Sequence, residues 1–156
     1  MSTFIQWCQT SALSAAIRSN KWTYPSIEIL HIAGLVLVFG SILILNLRIF
    51  GLTLQRTPLP EVARGLAPLT MAGLFAQAIS GPLLFTASAV RFSESGPFRV
   101  KLVLLVLALI YHYAVHRPLI LKSEESSPQV RSSAVASLIT WVGVVLAGLG
   151  IELLAA

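Results

Sequence analysis

Four apolar runs dictate what this chain can become, each close to the roughly 20 residues an α-helix needs to cross a bilayer core. They extend over Pro25 to Phe50, Leu66 to Val90, Phe98 to Leu121 and Ala134 to Leu154. In hydrocarbon every backbone polar group must be satisfied internally, and runs of this length do so as helices. No strand alternation, low-complexity tract, internal repeat or soluble domain interrupts them. Charged residues make up 11% of the chain, against about 25% in a soluble domain. The expected fold is therefore all-α and integral to the membrane: residues 1–156 form one domain, a bundle of four transmembrane helices preceded by an N-terminal amphipathic interfacial helix over residues 1–20.

The net charge of +5 is spread over span ends, where Lys and Arg anchor helices at the headgroups, and nucleic acid is not an expected partner. Arg18, Lys21, Arg91, Arg99 and Lys101 fall on one side; Arg48, Arg56, Arg64, Arg117, Lys122 and Arg131 fall on the other. Five against six leaves the orientation open. Met1 to Asn20 lacks the basic start, apolar core and small-residue cleavage site of a signal peptide. Phe4, Trp7, Cys8, Ser11, Ala15 and Ile17 give this stretch one moderately apolar face, as in a helix lying in the interface. A single cysteine, Cys8, rules out an internal disulfide and a multi-cysteine metal cluster.

All three histidines, His31, His112 and His116, lie inside the apolar runs. An imidazole in hydrocarbon is costly without a partner, so each is a functional-site candidate. Neutral imidazole is also a good ligand for iron, copper and zinc. Flanking charges place His31 roughly 6 Å to one side of the middle of span one and His112 near the middle of span three. The two depths differ by roughly 8 Å, so both could meet one iron between opposed helices. Lys101, Leu105, Ala108, His112 and His116 fall on one helical stripe, and Ala108 leaves room beside His112 for a flat macrocycle. Lys101, Arg48, Arg99 and Arg117 are candidate partners for haem propionates. Met71 lies at a depth near His116 and admits a second, His/Met-ligated haem.

Other polar residues have smaller expected roles. Gln77 could bond a ligand or an imidazole, and Glu28, one turn before His31, could orient that ring. Trp141 reads as an interface anchor. Pro58 and Pro60 are expected to stop helices in the loop before span two, Gly81–Pro82 to kink that span, and Pro118 to bend or end span three. The bland alternative for each histidine is a hydrogen bond to a carbonyl or hydroxyl of a neighbouring helix.

Span one reads LHIAGLVLVFGSILILNLRIFG and span three RVKLVLLVLALIYHYAVHRP. Together they resemble the bacterial membrane protoporphyrinogen oxidases, four-span proteins that bind haem b, and they are similar to the copper-resistance D family and to related small four-span bacterial proteins. The resemblance covers about two spans and the span count. It matches His31 to that family's histidine in span one, and Lys101 and His112 to its lysine and Tyr-His in span three. It implies haem b (one, or two with a second site), a redox role and residence in a bacterial inner membrane. The chain departs from the family in its added N-terminal helix, and in having Leu-Val-Leu-Val-Phe where the oxidases carry a tryptophan-rich stretch.

The leading expectation is a membrane b-type cytochrome. His31 and His112 would be its axial ligands, with His116 as the alternative to His112. It would exchange electrons with a quinone or a redox partner protein, as a homo-oligomer or as a subunit of a larger complex. A porphyrinogen oxidase, with Lys101 holding a substrate carboxylate, is the second reading. A copper-handling membrane protein is the third, with Met71 and the three histidines lining a path; a structural small subunit is the fourth.

Overall fold

A computed structural model of the protein describes residues 3–122 and 127–153. Two short helices come first, α1 (Thr3–Thr10) and α2 (Ala12–Ser19). They divide the expected single interfacial helix at Ser11. The Ser11 hydroxyl donates to the Cys8 carbonyl at 2.7 Å and accepts from the Ser14 amide at 3.2 Å, ending one helix and capping the next.

Four helices long and apolar enough to cross a membrane follow. Span one is α3 (Thr23–Ile49) and span two is α4 (Leu59–Ala87). The short α5 (Ala89–Glu94) leads to span three. Span three is α6 (Gly96–Tyr111), a π-helical turn (His112–His116) and α7 (Arg117–Lys122). Span four is α8 (Pro128–Leu153). The expected end of span four at Leu154, and most of the polar loop before it, lie outside the described residues.

The prolines start or reshape helices rather than stopping them. Pro60 sits in the first turn of α4, where its missing N–H is no loss, so span two begins seven residues before the expected Leu66. The helix then runs on through Pro68 and Pro82. Span three also continues past Pro118, which has no N–H to offer the Ala114 carbonyl and whose ring crowds it. The turn before Pro118 widens in response: the Arg117 amide bonds the His112 carbonyl five residues back.

Packing organises the spans as two pairs. α3 lies along α4, and α6 along α8. Between the pairs, α3 meets α8 and α7 meets α4, while α4 and α6 scarcely touch. Val38, Ile42, Ala108, Trp141 and Val144 form the middle of the bundle. Trp141 is only 2% exposed, so it is a core residue and not the interface anchor its position suggested. Leu45, Ile49, Leu59, Ile120, Val130 and Ala134 close the end nearer the α3–α4 loop. The outer faces carry exposed Val36, Phe75, Val103, Ile139 and Leu146, as lipid-facing helices do.

At the other end, α1 and α2 pack on α5 and on the C-terminal part of α4. Arg18 donates to the Ala87 carbonyl at 3.4 Å, and the Val90 amide donates to Gln9 Oε1 at 3.4 Å. Cys8 and Ile17 are buried there, while Phe4 and Trp7 stack on each other in the open, their ring centroids 6.2 Å apart.

Candidate functional site

The three histidines fall into two separate clusters. The first joins three spans around His31. Its Nδ1 lies 2.8 Å from Ser80 Oγ on α4. The Ser80 hydroxyl has one proton, which goes to the Ala76 carbonyl at 2.6 Å. Ser80 therefore accepts from His31 Nδ1–H, and the lone pair of the neutral ring is left on Nε2. Across from that nitrogen stands Lys101 Nζ of α6, at 3.5 Å. Gln77 donates to the His31 main-chain carbonyl at 2.7 Å, so it steadies the helix rather than the ring. Two glycines flank the pair: a Cβ on Gly81 would stand 3.6 Å from His31 Cε1, and one on Gly148 would stand 3.5 Å from Lys101 Nζ. Bare backbone thus borders both polar side chains.

The second cluster is built on the π turn. His112 is 6% exposed and His116 is wholly buried. In an α-helix residues four apart are offset by about 40°, and the wider π turn removes most of that offset. The two rings lie 5.9 Å apart between centroids. His116 Nδ1 is 3.1 Å from Ser133 Oγ of α8, and Ser133 in turn donates to the Val130 carbonyl at 2.8 Å. The arrangement repeats that of His31: a serine with its proton already donated fixes Nδ1–H, and Nε2 keeps the lone pair. His116 Nε2 and His112 Nδ1 are both enclosed and have no hydrogen-bond partner among the described residues. Tyr111 stacks at 6.4 Å on His116 and donates to the Ser133 carbonyl at 3.3 Å.

A narrow cleft with room for about 20 Å³, little more than one water, adjoins His112, lined from α3, α4 and span three. Tyr113 donates to Met71 Sδ across it at 3.2 Å, and the Arg117 guanidinium lies 6.0 Å from the Tyr113 ring centre. Met71 thus belongs with His112 and Tyr113, not with His116.

His31 and His112 do not meet. Ser41 and Ile42 share the cleft with His112, and they lie ten residues beyond His31, roughly 15 Å along the helix axis. The bracketing that gave a smaller separation treated Lys101 as an end anchor reaching outward. In the fold Lys101 turns inward onto His31 and Gly148, so it does not mark the headgroup level. One iron bound by both His31 and His112 requires nitrogens about 4 Å apart, twice a metal–imidazole bond of about 2.0 Å, and this arrangement does not provide that.

The expected propionate partners also divide. Arg48 donates to the Thr57 carbonyl at 3.0 Å and the Gln55 carbonyl at 3.5 Å, closing the α3–α4 loop. Arg99 donates twice to the Ser93 carbonyl, at 3.2 and 2.8 Å. Both are occupied by main-chain carbonyls, Arg48 by those of the α3–α4 loop and Arg99 by one of α5. Lys101 remains beside His31, and Arg117 beside the His112 cleft. Among the described residues no group of three or more His, Cys, Asp or Glu side chains could hold a metal ion. Ser80 and Ser133 were not singled out by the sequence. A serine in a span usually bonds its own helix backbone, and nothing in the sequence distinguishes those that also receive an imidazole. Ser80 holds Nδ1 of His31, the role for which the sequence suggested Glu28.

No curated protein and no solved structure matches the chain. One family model does, DUF6644, a family of unknown function, over residues 4–153. The chain belongs to that family.

Proposed function

We propose that this protein is a membrane haem-b protein that carries electrons within the bilayer, with His31 as its iron ligand. The observation that carries the reading is the Ser80–His31 pair, in which Nδ1–H is held at 2.8 Å and Nε2 keeps its lone pair, faced by Lys101 Nζ at 3.5 Å. Ligating histidines are almost always held this way, by a hydrogen bond from the other ring nitrogen that sets tautomer and orientation. Around it, the sparse contact between α4 and α6 and the bare backbone of Gly81 and Gly148 suit a flat ligand. Bound haem would supply one-electron chemistry, tuned by axial ligation and burial.

The chain's own part is to bind and orient. His31 offers one nitrogen. Lys101, with no carboxylate partner among the described residues, supplies the cation for a propionate. With His112 roughly 15 Å away along the helix axis, His31 would be the histidine that holds the iron.

The test is the reduced-minus-oxidised visible spectrum of the protein in mild detergent, with a pyridine haemochrome assay for stoichiometry. The expected result is one haem b per chain, lost in His31→Ala and kept in His112→Ala. A colourless protein from haem-replete cells overturns the reading.

Lys101 also favours a second reading, a porphyrinogen oxidase in which its ammonium holds a substrate carboxylate. Accumulation of porphyrinogen in a deletion strain, restored by the wild type and not by Lys101→Met, separates it from electron carriage.

A further inference from the structure

We propose that the cleft beside His112 binds a small monovalent anion of the chloride class, held by Arg117 and His112. The site is distinct from the His31 cluster, and the proposal does not depend on haem being bound there.

Arg117 is the first pointer. It lies within span three, at the start of α7 and short of the Lys122 end, where a guanidinium ordinarily reaches outward to the headgroups. Here it folds back along the helix instead, 6.0 Å from the Tyr113 ring centre, and lines the cleft. None of the residues lining that cleft is acidic. A cation at membrane depth is costly without a counter-charge.

His112 supplies the second donor. Its Nδ1 is enclosed and has no hydrogen-bond partner among the described residues, so Nε2 is the ring nitrogen facing the cleft. A buried N–H without an acceptor is rarer than a buried lone pair without a donor. The proton of the neutral ring therefore belongs on Nε2, where an anion can accept it. The Arg117 amide bonds the His112 carbonyl, so the two side chains leave the same turn and their donors converge on one point.

The room is that of a single atom. About 20 Å³ takes one water or an ion little larger, and no bulkier acid. The Ser41 and Thr70 hydroxyls also line it. Their protons rest on the Leu37 carbonyl at 2.6 Å and the Leu66 carbonyl at 3.2 Å, and either can turn to an anion. Ile42, Leu45 and Leu66 border the rest, and against such apolar walls a charge pair is stronger than in water. A water would fill the same room and leave the guanidinium charge standing; an anion cancels it. Bound there, the ion ties span three to the α3 and α4 walls, which links its binding to stability.

The experiment is the unfolding midpoint of the full chain in detergent as sodium chloride replaces sodium gluconate at constant ionic strength. A rise that saturates is expected, as for a ligand bound only by the folded state. His112→Ala should raise the chloride concentration at half-saturation about tenfold, and His112→Gln, which keeps a neutral donor, should recover most of it. Arg117→Met and Ala67→Leu should each abolish the response, the first by removing the charge and the second by filling the room from α4. The second variant keeps the test open if the first does not fold. A wild-type midpoint with no saturable rise leaves only water in the cleft and overturns the proposal, as does a full chloride response in both Arg117→Met and Ala67→Leu. His31→Ala should keep the response; its loss there would place the halide on haem iron and overturn the proposal as well.

Discussion

Gly73 of α4 faces Gly34 of α3 so closely that a Cβ on Gly73 would stand 2.6 Å from the Gly34 carbonyl oxygen and 2.7 Å from Val38 Cγ2. Seven residues along α4, and three back along antiparallel α3, the same contact brings Ser80 to His31. In lipid, small residues at a crossing are what let two helices approach. The packing of two glycines thus sets the reach of the hydrogen bond at the site.

Gly73→Leu should therefore separate α3 from α4 and weaken the His31 site without touching it. Overpacking of this kind costs about 1–3 kcal/mol. The measurement is the unfolding midpoint in detergent together with haem retained per chain, and both should fall. Unchanged haem content at a lowered midpoint would break the link between the crossing and the site.

Ser80→Ala leaves His31 Nδ1–H buried without its acceptor, at a cost of about 1–3 kcal/mol. It also frees the ring to turn. Loss of such a supporting bond lowers metal affinity by about 10–100-fold. Haem titration of the apo-protein is the check, and Ser80→Thr, which keeps the hydroxyl, should remain near wild type.

Lys101→Met separates function from stability. The Lys101 ammonium has no carboxylate partner among the described residues and sits against Gly148 and His31 inside the bundle. Lys within a span costs roughly 2.5–3.5 kcal/mol at the helix centre, less toward the end. An apolar side chain of similar length should leave the unfolding midpoint unchanged or raised, while haem binding falls. A lowered midpoint would assign Lys101 to the scaffold.

Trp141 and Trp22 should respond differently to truncation. Trp141 is 2% exposed in the bundle core, and Trp22 is 68% exposed beside Lys21, whose Nζ lies 5.7 Å from its ring. Trp141→Ala should destabilise by about 3–5 kcal/mol. Trp22→Ala should change stability by well under about 1 kcal/mol. Equilibrium unfolding of the two variants in the same detergent decides.

Pro118→Ala should let the π turn tighten. A restored N–H at position 118 can bond the Ala114 carbonyl and remove the crowding that widens the turn. His112 and His116 would then move out of line, and the 3.1 Å bond from His116 to Ser133 should weaken. Histidine side-chain nitrogen shifts in labelled protein report this directly. Unaltered shifts would mean that the turn is held by packing against α8.

Span existence was legible because backbone satisfaction in hydrocarbon acts locally: a run such as Pro25 to Phe50 has to be a helix whatever it packs against. Candidate residues were legible for the same reason, since His31, His112, His116 and Lys101 are polar groups in apolar runs. Their grouping was not. Whether Lys101 turned outward to the headgroups or inward to His31 depended on the bare backbone of Gly148 on another helix. Whether Trp141 anchored an interface or filled the core depended on Val38, Ile42 and Ala108 arriving around it. The sequence by itself determined the four helices and which residues are costly in lipid. The tertiary structure decided that His31 stands with Ser80 and Lys101 while His112 stands with His116, because lateral packing sets which faces meet and local periodicity does not carry that information.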